Sequence, residues 1–185
     1  TIKASDYEAN PADESKLFGC DIWVEVTATS APPVSCIEQL DLMLVLDRSG
    51  SINATELATL KSASNSFITA LAPTTTGVHI GQSSFATGAT LDLHLTGVEA
   101  AAHAAVNALV SGGFTNLKGG IDLAIGEFDN LHIHERPAVP DIMVIITDGA
   151  PNRPLPSNTA TTTAAASADA ARAAGRDRGR PIPPR

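Results

Sequence analysis

The chain has 185 residues, the size of one ordinary domain with a short appendage. Hydrophobic residues at 43% and charged residues at 17% exclude a wholly disordered polymer, and 14 scattered glycines with 12 prolines exclude a collagen-like one. The net charge of -8 is unevenly placed: residues 1–150 carry 6 Lys and Arg against 18 Asp and Glu, and residues 151–185 carry 6 against 2. An acidic body repels phosphate backbones and attracts cations, which argues against nucleic-acid binding.

Residues 1–40 read as an N-terminal extension with one strand, Asp21 to Thr29, where Ile22, Val24 and Val26 share a face. Cys20 and Cys36 bracket it. Their pairing would close a loop of about 15 residues, stabilise it by roughly 3 kcal/mol and place the protein in an oxidising compartment. The other reading is two free, half-buried thiols.

From Asp41 the pattern changes to apolar strands alternating with helices. The run LMLVL ends at Asp47, and Arg48, Ser49, Gly50 and Ser51 lead into a helix. Asn53 and Glu56 are spaced to cap that helix, Leu57, Leu60, Ser64, Phe67 and Leu71 form its inward stripe, and Pro73 ends it. Val78 to Phe85 and Thr90 to Leu95 suit a hairpin near a sheet edge. Thr96 and Glu99 have the spacing of a second capping box before a helix over Val98 to Val110. A third helical stripe, Leu117, Ile121, Ile125 and Phe128, follows the loop SGGFTN, and Gly119 and Gly120 would let it approach the sheet closely. Asp141 to Thr147 is again a buried strand, and Asp148 and Gly149 follow it. No apolar run comes near the roughly 18 residues that a membrane crossing needs.

This alternation predicts an α/β fold, a doubly wound and mostly parallel sheet flanked by helices, Rossmann-like in plan. Ligands of such sheets bind beyond the carboxyl ends of the strands, where Asp47 and Asp148 both fall. Neighbouring strands lie about 4.8 Å apart, so two carboxylates would meet there, with Ser49 and Ser51 as hydroxyls at alternate positions. An oxygen-only donor set without soft ligands favours a hard divalent ion, Mg²⁺ first, with Mn²⁺ or Ca²⁺ as alternatives.

DLMLVLDRSGSI, GGFTNLKGGI and IMVIITDGAPN, in this order and spacing, resemble the three signature segments of the von Willebrand factor A (vWA) domain. The resemblance runs from Asp41 to roughly Gly175. It implies a metal-ion-dependent adhesion site built by Asp47, Ser49, Ser51, Thr115 and Asp148. In that family the hydroxyls touch the metal directly, the aspartates act largely through water, and an open position accepts a partner's carboxylate. The implied function is a binding module, outside or on the cell, for a protein or extracellular-matrix ligand that offers Glu or Asp. The competing reading keeps the fold as an assembly subunit of an intracellular complex that works beside an ATPase.

The resemblance fails after the Ala-rich helix Ala160 to Ala174, where GRDRGRPIPPR replaces the expected further strands. Residues 176–185 read as a disordered basic tail, and the domain over 41–175 as incomplete at its C-terminus. A premature end, a cloning remnant or a shifted reading frame would each produce that ending. The strand before Asp148 would then need cover along one edge, from the strand near Ile22, from a missing segment or from another chain.

Two weaker patterns remain. His132, His134 and Glu135 form an HxHE sequence that suits a surface loop better than zinc, because no other Cys or His is close in sequence. Aspartyl-phosphate and serine-hydrolase chemistry both lack their supporting residues, and the only Gly-x-Ser, Gly81-Gln82-Ser83, has no closing glycine. No enzyme activity is expected.

Overall fold

The computed structural model describes residues 39–129, 131–156 and 159–178. The strand expected over Asp21 to Thr29 and both cysteines lie outside the described residues. In chain order the elements are β1 (Leu40–Asp47), α1 (Ala54–Leu71), β2 (Val78–Phe85), β3 (Ala89–Thr96), α2 (Glu99–Asn107), α3 (Leu117–Glu127), β4 (Asp141–Ile146) and α4 (Ala160–Arg178). The sheet order is β3-β2-β1-β4. β1 runs parallel to β2 and β4, while β3 is antiparallel to β2, so the sheet is mostly parallel, as the sequence predicts.

Every residue of β1 is buried, because helices cover both of its faces. Leu40, Leu42, Leu44 and Leu46 pack with Leu60 and Ile68 of α1 and with Ala102 and Val106 of α2. Met43 and Val45 face the other way, into Phe85, Leu95, Ala124 and Phe128. Each fully buried side chain of this size contributes about 1.5–3 kcal/mol. The middle of a strand sandwiched in this way is apolar on both faces, which is why LMLVL shows no alternation, and the two aspartates of β1, Asp41 and Asp47, lie toward its ends.

The N-terminus of α1 forms as predicted. The Asn53 side chain accepts from the backbone N–H of Thr55 and Glu56, and Glu56 accepts in return from the Asn53 N–H. The inward stripe differs by one residue: Leu60, Ser64 and Ile68 are buried, whereas Phe67 is 37% exposed. From Ser64, steps of three and of four residues both stay on a helix face, and packing selects the second. The second capping box does not form. Thr96 Oγ1 accepts only from the Val98 N–H, Glu99 pairs with His103 one turn on, and the helix stops at Asn107.

α3 lies close to the sheet through Gly120. A Cβ there would come within 2.8 Å of Phe85 Cδ1 and 2.9 Å of Val45 Cγ1. Ser83 Oγ also donates to the Gly120 carbonyl at 3.0 Å. Gly126, in the same helix, has open space around it. Gly120→Val is therefore expected to destabilise the domain by about 1–3 kcal/mol through overpacking. Gly126→Ala is expected to stabilise it by about 0.5–1 kcal/mol through helix propensity. Urea denaturation of the two variants should show shifts of opposite sign.

α4 packs on α3 with Ala160, Ala164 and Ser167, which are buried, and Ser167 Oγ donates to Asp122 Oδ1 at 2.7 Å. The helix continues past the expected end at Ala174 to Arg178, so residues 176–178 are helical rather than part of a disordered tail. β4 has one strand neighbour among the described residues, β1, and Ile142 and Ile145 are exposed. No helix among the described residues is long and apolar enough to cross a membrane.

Candidate metal centre

The parallel register of β1 with β4 brings Leu46 opposite Ile146, so the loops after Asp47 and after Ile146 leave the sheet side by side. The direct neighbour of Asp47 is not Asp148 but Thr147, a residue the sequence reading passed over. Thr147 Oγ1 donates to Asp47 Oδ2 at 2.7 Å. The other carboxylate oxygen, Oδ1, accepts from the Ser49 N–H at 2.7 Å, a short turn typical of aspartate at a strand end. Asp47 is fully buried. Two donors hold it, so the head-on meeting of carboxylates expected from strand spacing is avoided.

From Ser49 a line of oxygens runs outward. Ser49 Oγ lies 2.9 Å from Ser51 Oγ, which donates to Asp148 Oδ1 at 3.0 Å. Ser49 is buried, while Ser51 and Asp148 are exposed, so the line opens to solvent. Between Asp47 and Ser49, Arg48 turns its guanidinium to Ser84 and Thr90 of the neighbouring strands.

Thr115 is buried in the second loop, at the N-terminal side of α3. Backbone bonds tie that loop to the first: Gly50 N–H to Gly113 O at 2.9 Å and Gly112 N–H to Arg48 O at 2.8 Å. Gly113 adopts φ 84°, and a Cβ there would sit 2.4 Å from Thr87 Oγ1, so only glycine fits. The third loop grips Thr115 from the other side. Asn152 Oδ1 accepts from the Thr115 N–H at 2.8 Å, and the Asn152 and Arg153 N–H groups donate to the Thr115 carbonyl at 3.0 and 3.1 Å. The fold thus gathers all five sequence-predicted residues onto one rim, four through side chains and Thr115 through its backbone. Asn152 was visible in IMVIITDGAPN, but its bracing role depends on a loop 37 residues away.

The donor set suits a hard cation. Octahedral bonds of about 2.0–2.1 Å place adjacent oxygens about 2.9 Å apart. The two spacings on the serine–aspartate line are 2.9 and 3.0 Å. Hydroxyls so placed need only rotate their protons outward to present lone pairs.

The model of the von Willebrand factor type A domain matches residues 41–175. The chain belongs to the von Willebrand factor A family. Among solved structures, the vWA domain is similar to manganese-loaded TRAP protein of Plasmodium vivax (20% identity, TM-score 0.62, 74% of this chain and 54% of that one). It is also similar to mussel byssus proximal thread matrix protein 1 with a zinc-occupied metal-ion-dependent adhesion site (24% identity, TM-score 0.55, 63% and 30%). A third likeness is the type V pili tip protein Mfa5 of Porphyromonas gingivalis (18% identity, TM-score 0.54, 62% and 39%). The chain spans less than two fifths of the length of Mfa5 and of the mussel protein. No curated protein sequence matches it.

Proposed function

We propose that this vWA domain is a metal-dependent adhesion module, in which Asp47, Ser49, Ser51, Thr115 and Asp148 hold one divalent cation, Mg²⁺ first and Mn²⁺ or Ca²⁺ next. The observation that carries this reading is the run Ser49 Oγ, Ser51 Oγ, Asp148 Oδ1 at 2.9 and 3.0 Å beside the buried Asp47. A cation bound there supplies an electrophilic position that an acidic side chain of a protein or matrix partner completes. The protein's own part is positional. Asp47 is fixed by Ser49 and Thr147, the serines face outward from a loop pinned by glycines, and Asn152 locks the threonine loop.

The rim also carries a cationic group. Arg153 stacks on the exposed Phe114 with its guanidinium carbon 3.9 Å from the ring centroid. Within an acidic body this local positive charge favours approach of a carboxylate. The function is capture rather than turnover. The structural neighbours, a pilus tip, a byssus thread protein and TRAP, support placing the domain outside or on the cell.

The test uses extracellular-matrix proteins and acidic peptides immobilised on a sensor surface. In millimolar Mg²⁺ the full chain should bind a subset of them, lose binding in EDTA and regain it on adding Mg²⁺. Replacing the critical ligand glutamate or aspartate by its amide should abolish binding. Binding indifferent to both EDTA and the amide substitution would overturn the proposal.

A further inference from the structure

A second group of metal-ligating side chains lies at the opposite end of the sheet. It joins His94 of β3, Glu127 at the end of α3, and His132 in the following loop. The pairings Asp47 with Phe85 and Phe85 with Ala89 mark the rim end of the sheet, and Leu42 with Ile80 and Ile80 with Thr96 mark the other. His94, two residues before Thr96, is therefore separated from the Asp47 rim by roughly four to five residues of strand, on the order of 15 Å at about 3.3 Å each.

Both histidines aim at a single oxygen. His94 Nδ1 is 2.9 Å and His132 Nε2 is 3.3 Å from Glu127 Oε1. One ligand atom from each of the three residues lies within 4.8 Å of the others. Tetrahedral zinc with bonds of about 2.0–2.1 Å sets its ligand atoms about 3.3–3.4 Å apart, so modest movement would close the set. Glu127 is only 2% exposed, and its other oxygen, Oε2, accepts from the Leu95 N–H at 3.2 Å. That bond fixes the carboxylate and leaves Oε1 facing the imidazoles. His132 Nδ1 is shielded and has no hydrogen-bond partner among the described residues, so the contact of Nε2 with Glu127 Oε1 is what orients this ring. His134 stacks on His94 with ring centroids 4.6 Å apart and stands 5.4 Å from His132, so it packs against both ligand rings.

We infer that His94, Glu127 and His132 form a second metal site, selective for a borderline transition ion such as Zn²⁺. Water would complete the shell. Two nitrogens and one carboxylate oxygen make a donor set unlike the all-oxygen rim, and imidazole prefers zinc to magnesium. The HxHE pattern in the sequence hinted at such chemistry but named the wrong acid. Glu135 is buried beside Asp41 and Asp141, and Glu127 takes its place. Because the three ligands come from β3, α3 and the α3–β4 loop, an ion there would staple the lower end of the domain. The inference does not depend on the adhesion reading.

The test is calorimetric titration of ZnCl₂ into the full chain, free of any polyhistidine tag, with millimolar Mg²⁺ present. Wild type should bind zinc at this site, and His94→Ala/His132→Ala should lose one equivalent or bind it at least tenfold more weakly. Removing both imidazoles takes its partners from the buried Glu127 Oε1, so the variant should melt below wild type even in chelator. X-ray absorption at the zinc edge should show imidazole scattering in wild type that the variant lacks, a readout that survives even if the variant is unstable. Unchanged zinc stoichiometry and affinity in the double variant would overturn the site. So would zinc heats that disappear in Asp47→Ala while the histidine variant keeps them.

Discussion

Asp47→Ala is expected to remove the Mg²⁺ isotherm that the wild-type protein gives. The affinity loss should be about 100-fold or more, since even residues that only orient a metal's ligands are worth 10–100-fold. Asp47 does more than orient. It is the one buried carboxylate on the rim, and its two oxygens set the position of Ser49 and of Thr147. Without it, the buried Ser49 N–H loses its acceptor, at a cost of about 1–3 kcal/mol, whereas the exposed Thr147 hydroxyl keeps the Gly149 carbonyl. Ser51→Ala separates the two effects, because Ser51 is exposed and its loss leaves the Asp47 carboxylate bonds intact, taking only one partner from the Ser49 hydroxyl. That variant should bind Mg²⁺ roughly tenfold more weakly and melt like wild type in EDTA. Wild type should gain about 2.7 kcal/mol of stability at a hundred times the dissociation constant, by mass action alone, and Asp47→Ala should gain none. Equal heats in wild type and Asp47→Ala would refute the ligand assignment.

The parts of this rim that could be read from sequence are those set by short-range patterns. Two apolar runs, ending at Asp47 and just before Asp148, announce strands, of which β1 is buried on both faces and β4 is only partly covered. The stretch Leu42–Leu46 carries no polar side chain, and the aspartate that follows it marks the exit of the strand. Asn53 and Glu56 form a cap within four residues of each other, so their box was readable as well. Where two local solutions compete, the sequence does not choose. Ser64 is followed equally well by Phe67 or Ile68 on a helix face, and only contact with Leu42 and Leu44 selects Ile68. Thr96 and Glu99 have the spacing of a cap, but β3 continues through Thr96, and Val98 becomes the N-cap. Thr147 escaped notice because its role follows from the one-residue register between β1 and β4. The zinc-type cluster was hidden further still, since His94 and Glu127 are 33 residues apart and meet only because α3 lies beside β3.

Arg136→Ala is expected to destabilise the domain by about 3–5 kcal/mol, the range for removing one partner of a buried ion pair. At roughly 2–4 °C per kcal/mol for a domain of this size, the melting temperature should fall by roughly 6–20 °C. The guanidinium donates to Asp41 Oδ1 through both Nε and Nη2, to the Leu40 carbonyl through Nη2 and to the Gly77 carbonyl through Nη1. It thereby ties the start of β1 to the residue before β2 and to the loop that leads to β4. Asp41 is fully buried, and Glu135 and Asp141 bring two more carboxylates within 4.8 Å of its own. Taking away the arginine strips the fully buried Asp41 of its guanidinium partner, so the penalty is uncompensated charge rather than lost packing alone. Arg136→Lys should recover little, because one ammonium cannot reproduce a planar fork that serves three acceptors. Asp41→Ala in the Arg136→Ala background should be much milder than in wild type, giving a coupling of about 1–3 kcal/mol in a double-mutant cycle. Urea midpoints with unchanged slopes measure all four corners. Strict additivity would show that the pair holds nothing together. If the cycle couples while Mg²⁺ affinity at the Asp47 rim stays constant, the two ends of the sheet are energetically separate, and the rim is organised by its own three loops.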